Sequence, residues 1–470
     1  MNHSEFNYLK ENIIKISTIK PETSLDDLEL LDKLIGDSNL VLLGETTHGT
    51  KEVFQMKHRL IEYLVIKKKF NIFSIEASMT DAYNLNEFIL YGKGNPEILL
   101  KSLNFWCWNT EELLKLILWM RNFNISIDSK YQNEFKTSCG VSTPKEEGLG
   151  GATPVPPETP EHSSEVFSNK NKKIKFTGFD MQSIKRAINN ISLFAKKYDN
   201  NLEIFLDDLN LINEEITSIY KKLYELYFEK IKSIQTDKEK ENLFKEFYKL
   251  PEELSKKNLN KSYEIYNYII KNKENYLKQI NINEYNWLEQ NSRIINQYSD
   301  CMSRNSDEGG KIRDFYMSEN IKWIIDNYEK SKVIVWAHND HIQKKEGYMG
   351  YFLAKYYEKS MKVFGFSLGN GTYTAMCDDK TIRDNNKLIP PIKESFEYYF
   401  EKINIPFFIL NTKNFNTKNH FLTQTQKFRS IGAVALEDQF LDFNITEQFD
   451  FIIYLNKTTG SVLLKNYLSQ

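Results

Sequence analysis

Glu45 and His48 stand three residues apart in the segment GETTHGT at 44–50, and a carboxylate beside an imidazole is the makings of a general base. A neutral histidine takes a proton from water and returns it later, and a carboxylate neighbour steadies the cation formed in between. With a helix opening near Gly49, His48 lies at a positive helix end, which disfavours the imidazolium. The plainer account makes Thr46 or Thr47 the helix cap and His48 an ordinary loop histidine. Gly44 allows a tight exit from the apolar run before it.

Three more apolar runs end in ionisable residues. Glu76 closes one of them, and because a lone buried carboxylate is costly it needs a rim position or a partner such as Lys57. Asp180 follows Gly178-Phe179 and suits a helix cap as well as a substrate contact. His338-Asn339-Asp340-His341 places two histidines around a carboxylate, and with Glu45 or Glu76 they could ligate zinc. HExxH is missing and no cysteine lies near these histidines. Acid–base chemistry is the favoured reading at this point, with no cofactor expected, and a zinc site on the two histidines is its sharpest rival. A nucleophilic serine would need a GxSxG elbow at a strand–helix turn, and the chain's one such match, Gly365-Phe366-Ser367-Leu368-Gly369, falls within an apolar run instead. Trp106 and Trp108, just before a helix carrying Trp119, could line a pocket for a large apolar ligand. Core packing is the ordinary fate of such aromatics. Arg313 could aim its guanidinium at the same site, or simply pair on a helix surface.

The runs that must position these residues are 39–44, 70–77, 173–180, 332–338, 361–368, 406–410 and 451–455. Each is short, rich in Val, Ile and Phe, and bounded by polar or turn residues, as buried strands of a parallel sheet are. Amphipathic segments such as 50–68 and 111–122 alternate with them, which predicts βαβ units. In an open parallel sheet, ligands bind beyond the carboxyl ends of the strands, so four ionisable strand ends should converge on one rim. Residues 184–326 differ, with long Lys/Glu-rich helical segments and almost no strand signal. The expected fold is α/β, a mostly parallel central sheet flanked by helices, with an inserted all-helical subdomain. Residues 1–183 would form the first half of the catalytic domain, 184–326 the helical insert, and 327–470 the second half. Within the first half, 138–165 holds five of the chain's 11 prolines and reads as a flexible inserted loop.

The balance of 62 basic against 64 acidic residues argues against a nucleic-acid coat protein. The clusters Lys67, Lys68, Lys69 and Lys170, Lys172, Lys173, each beside a predicted strand, read as solvated edges. Four scattered cysteines without a CxxC pair favour a reducing, cytoplasmic compartment. No basic and apolar leader opens the sequence, and no apolar stretch approaches the ~20 residues of a membrane span.

Together these segments resemble the erythromycin esterase family. The resemblance is carried by GETTHGT, the helix with Lys57-His58-Arg59, Ile75-Glu76-Ala77, Trp108-Asn109-Thr110-Glu111 and Trp119-Met120-Arg121. It continues through Gly178-Phe179-Asp180, Arg313-Asp314-Phe315-Tyr316-Met317, the stretch VWAHNDH at 335–341, Met349-Gly350 and Phe449-Asp450. It runs from about residue 30 to 460. It implies a carboxylic-ester or lactone hydrolase, with a macrolide ring as candidate substrate and no required metal. On that pattern His48 is the general base, and Glu45 and Glu76 orient water and imidazole. His338 and His341 would steady the oxyanion or protonate the leaving alkoxide. The substrate-binding set would be Trp106, Trp108, Asp180, Arg313, Lys57 and Arg59. The family often has an arginine in the helix after the first motif, where this chain offers Lys57 or Arg59. A metal-dependent hydrolase and a non-catalytic accessory protein on the same fold are the competing readings. The partner expected is a small-molecule ester or lactone, neither nucleic acid nor membrane.

Overall fold

The computed structural model describes residues 3–138, 172–234, 236–247, 251–328, 330–415 and 420–465. The Pro/Gly-rich stretch 138–165 lies outside them but for Ser138. The described strands are β1 (Ile13–Lys15), β2 (Leu40–Leu43), β3 (Ile72–Ser78), β4 (Lys175–Asp180), β5 (Val333–Trp336), β6 (Met361–Met376), β7 (Ile382–Lys387), β8 (Phe407–Asn411), β9 (Gln426–Arg429), β10 (Phe440–Phe443) and β11 (Phe451–Thr458). Nine of them build one sheet in the order β1-β8-β11-β6-β2-β5-β3-β4, with β7 folded back on β6. From β11 to β4 every neighbour is parallel. β2 and β5 are buried throughout, so both sheet faces are covered and each reads as an unbroken apolar run.

The run at 406–410 departs from expectation. As β8 it pairs antiparallel with β11 and with the edge strand β1. Composition marks burial, not direction, so the sequence pattern could not separate this strand from its parallel neighbours.

Between β4 and β5 the chain makes the helices Lys185–Tyr198, Asn200–Ile231, Asp237–Phe247, Glu252–Lys271, Ile282–Met302 and Ser306–Asn327, with a short turn of helix at Lys273–Tyr276. Their apolar stripes join the core of one sheet face, where Ile188, Leu206, Ile265, Ile294 and Met317 belong to the same cluster as Leu42 and Val335. The opposite face is covered by the helices Lys51–Ile66 and Glu111–Ser138.

The helix Lys51–Ile66 is buried on nearly every side although it carries Lys57, His58, Arg59 and Glu62. Each charge therefore needs a local partner. Arg59 donates to Asp27 and to the carbonyls of Thr18 and Ser24. Glu62 accepts from the amide of Glu22 at 2.9 and 3.1 Å. Burial pushes the Glu62 carboxyl up to about 7, against the lowering pull of that amide. The folded state thus holds a proton that the unfolded chain releases above its ordinary value of 4.5. Stability from this group is present on the acid side and is lost as pH rises from about 4.5 to about 7. The effect is on the order of 2–4 kcal/mol. Glu62→Gln keeps the acceptor oxygen and removes the titration. Its melting temperature should match wild type at pH 5 and exceed it at pH 8, and an equal gain at both would discard this account.

Candidate functional site

The sheet order puts β2, β5, β3 and β4 side by side, so their carboxyl ends deliver His48, His338, Glu76 and Asp180 to one rim. β5, arriving after the long helical run, slots between β2 and β3, with Trp336 level with both Leu43 and Ile75. A register shift between Ile75 and Ser78 re-aims Glu76 as β3 leaves the sheet.

Glu45 lies fully buried under the rim. One of its oxygens meets His48 Nδ1 at 2.6 Å. The other accepts from Lys57 Nζ at 2.7 Å and from the Trp336 indole at 2.6 Å. Burial alone would push this carboxyl up, but the Lys57 cation and the His48 contact hold it below the ordinary range. Lys57 in turn lies 4.2 Å from the centre of the Trp336 ring, and burial draws its ammonium down to about 8 despite Glu45. Glu45 is thus ionised and fixed, and His48 directs its Nδ1–H inward. His48 Nε2 has no hydrogen-bond partner among the described residues.

The close fit of this corner explains Gly44 differently from a turn. A Cβ there would sit 2.1 Å from Asn339 Oδ1, because Asn339 is pinned to Phe366 by its side-chain amide. Close approach is the requirement. The helix begins at Lys51 with Thr50 as its cap position, and neither Thr46 nor Thr47 caps it. Thr46 bonds the carbonyl of Phe366, and Thr47 bonds Thr50 and the Gly49 amide.

Glu76 finds other partners than Lys57. One oxygen faces Arg313 at 3.0 Å and His341 Nε2 at 3.2 Å, and the other accepts from the His338 amide at 3.0 Å. Burial pushes Glu76 up, but the His341 cation and its hydrogen bond, with the Arg313 guanidinium, outweigh it and hold the carboxyl well below its usual range. Arg313 also forks onto both oxygens of Asp180, at 3.1 and 2.8 Å. Asp180 therefore serves the guanidinium besides capping the next amide, that of Met181.

His341 has Asp314 on Nδ1 at 2.9 Å and Glu76 on Nε2. Burial draws the ring down, yet these two carboxylates keep it charged well above the usual histidine range. His338 Nε2 lies 3.0 Å from the Thr46 carbonyl, and Nδ1 lies 3.2 Å from the Asp340 amide and 3.4 Å from its carboxylate. Its pKa is raised: burial opposes the charge, and the Asp340 carboxylate and Thr46 carbonyl outweigh burial. Both rings have protein groups at both nitrogens.

Above this network is a cleft of about 480 Å³. His48, Glu76, Asp180 and Arg313 form its polar floor, with Phe105 and Trp108 on one side and Tyr298 and Met302 on the other. Trp108 donates to the Glu76 carbonyl at 3.1 Å, and its ring lies 6.2 Å from that of His48. Trp106 instead packs in the core, while its neighbour Phe105 reaches the cleft. Arg59 is on the opposite helix face from Lys57, tied to Asp27, and does not approach the cleft. Among the described residues no three His, Cys, Asp or Glu side chains are grouped so as to hold a metal ion. No helix among them is long and apolar enough to cross a membrane. Trp336, Asp314 and Tyr298 were not among the expected site residues; Trp336 sits in an apolar run that hides its bond to Glu45, and Asp314 and Tyr298 sit on helices whose composition does not mark them.

The fold and the rim define a mixed α/β protein with a carboxylate-held histidine in a cleft beyond parallel strands. The chain belongs to the erythromycin esterase family, whose model matches residues 65–133 and 164–458. It is 27% identical to erythromycin esterase type II of Escherichia coli over 338 residues, 72% of this chain and 68% of that one. It is 24% identical to YbfO of Bacillus subtilis, a provisionally named hydrolase, over 93% of this chain and 88% of that protein. A crystal structure of a Bacillus cereus protein superposes with a TM-score of 0.71 at 25% identity, covering 99% and 100% of the two chains.

Proposed function

We propose that the protein hydrolyses a carboxylic ester or lactone by general-base activation of water at His48. The observation that carries this reading is the pairing of His48 Nδ1 with ionised Glu45 at 2.6 Å while Nε2 stays unengaged in a residue that lines the cleft. Water in the cleft gives a proton to His48 Nε2 and its oxygen attacks the ester carbonyl carbon. The imidazolium is steadied by Glu45, itself anchored by Lys57 and Trp336. Collapse of the tetrahedral intermediate breaks the acyl carbon–oxygen bond, and the His48 proton passes to the departing alkoxide. The carbonyl oxygen's developing charge is met by Arg313, which lines the same cleft. His338 and His341, occupied at both nitrogens, act by placing Thr46, Glu76 and Arg313 rather than on the substrate. No step calls for a metal or cofactor. The helices from 184 to 326 serve as an insert that walls the cleft, through Tyr298, Met302 and Arg313.

Family membership and the named esterase relative make a macrolide lactone the first substrate to test. Mass spectrometry of a 14-membered macrolide incubated with the protein should show a gain of one water, unchanged by EDTA. Activity abolished by EDTA would sink the metal-free mechanism. No mass change would remove the macrolide and move the search to smaller esters and acylated sugars.

A further inference from the structure

A second cavity, of about 730 Å³, adjoins the cleft. Phe244 and Tyr298 line both. Its own walls come from Ile216, Phe228 and Ile231 of the helix Asn200–Ile231 and from Met376 at the end of β6. The charged groups among its lining are Lys221 and Asp378, and Asp378 is held by Lys240 at 2.6 Å. The rest of the lining is mostly aliphatic and aromatic. Tyr224 and Val434 remain 49% and 45% exposed around it, a costly arrangement unless something apolar covers them.

The helix Asp237–Phe247, which carries Phe244, is held across this space from the far side. Asp237 accepts from the amides of Glu437 and Asp438, and Lys240 reaches Asp378. The cavity is thus a built chamber between the helices and the β6–β7 end of the sheet. A volume of this size falls in the ~300–1,000 Å³ range of small-molecule sites.

We infer that this chamber receives an uncharged hydrocarbon arm of the substrate while the ester lies at His48. The inference rests on the hydrolase reading for the ester and on the shared Phe244–Tyr298 wall for the arm. It assigns the preferred substrates to esters with one long apolar branch. Neutral burial is what most of the lining rewards, because its apolar and aromatic side chains offer a charge no partner and Lys221 stands exposed.

Two lip positions allow the chamber to be filled without touching the cleft floor: Thr217 and Val434, both exposed. N-phenyl-1-naphthylamine, a neutral fluorophore, should bind wild type and His48→Ala alike and be displaced by decanol. Thr217→Trp and Val434→Trp should each weaken it at least tenfold. With p-nitrophenyl esters from acetate to decanoate, wild-type kcat/KM should rise about three- to fourfold per methylene until the chamber fills. The two filled variants should lose that rise yet keep the acetate rate. Dye binding that the tryptophans abolish, with no ester hydrolysed, keeps the apolar chamber and discards the hydrolase reading. Ester hydrolysis without chain-length preference, and no dye bound, overturns the chamber and leaves the hydrolase standing. Self-association by sedimentation that Thr217→Trp abolishes would also overturn it, giving the face to a second copy of the chain.

Discussion

His48→Ala should lower kcat on any hydrolysed ester by roughly 10²–10⁴, the usual contribution of a positioned general base. The ring is nearly buried, but its hydrogen bonds are few: Nδ1 to Glu45, and nothing described on Nε2. Removing it vacates the proton relay and leaves Glu45 still held by Lys57 and Trp336. The melting temperature should therefore change little while the rate collapses. Glu45→Gln makes a sharper comparison. The amide keeps the shape yet cannot neutralise Lys57 or the imidazolium, so both rate and stability should fall. A folded His48→Ala protein within tenfold of the wild-type rate would end the general-base assignment, whichever substrate is used. A rate lost together with the fold would instead be read from His48→Gln, which retains volume and a hydrogen bond to Glu45.

These residues were legible because each is a polar group at the end of an apolar run, where burial makes it conspicuous. Glu45, Glu76, Asp180 and His338 all meet that description. Their adjacency was harder, since it depends on β5 entering between β2 and β3 after more than a hundred residues of helix. The pairing of charges was harder still. Lys57 serves Glu45, not Glu76, because the two carboxylates differ by strand and the choice turns on a few ångströms. Arg59 follows Lys57 by two residues, about 200° around a helix, so it must face away. Trp336 reads as core in any apolar strand, and only its indole N–H against Glu45 makes it part of the site. The helices between β4 and β5 were visible as helices, but nothing in their composition marks Tyr298 or Met302 as cleft wall. The antiparallel strand β8 was illegible for a related reason, as burial carries no sign of direction.

Arg313→Ala should be the most destabilising single change at the rim, costing about 3 kcal/mol at pH 8, near the lower end for breaking a buried ion pair. The guanidinium is one-fifth exposed, which keeps the figure at that end. It ties the helix Ser306–Asn327 to β4 through a two-pronged contact with Asp180, and to β3 through Glu76. Without it two nearly buried carboxylates face each other, and His341 reaches only one of them. An unpaired buried carboxylate recovers by taking up a proton, so the folded variant binds protons that the unfolded chain does not. Stability of the variant then rises as pH falls, and its deficit against wild type should be smaller at pH 5 than at pH 8. Arg313→Lys restores a charge without the planar fork, so it should recover part of the loss and leave Asp180 singly bonded. Urea denaturation at the two pH values measures this directly. A deficit below 1 kcal/mol at pH 8, or one independent of pH, would mean that water satisfies these carboxylates. The rim would then owe its shape to the packing of the helices and not to the arginine.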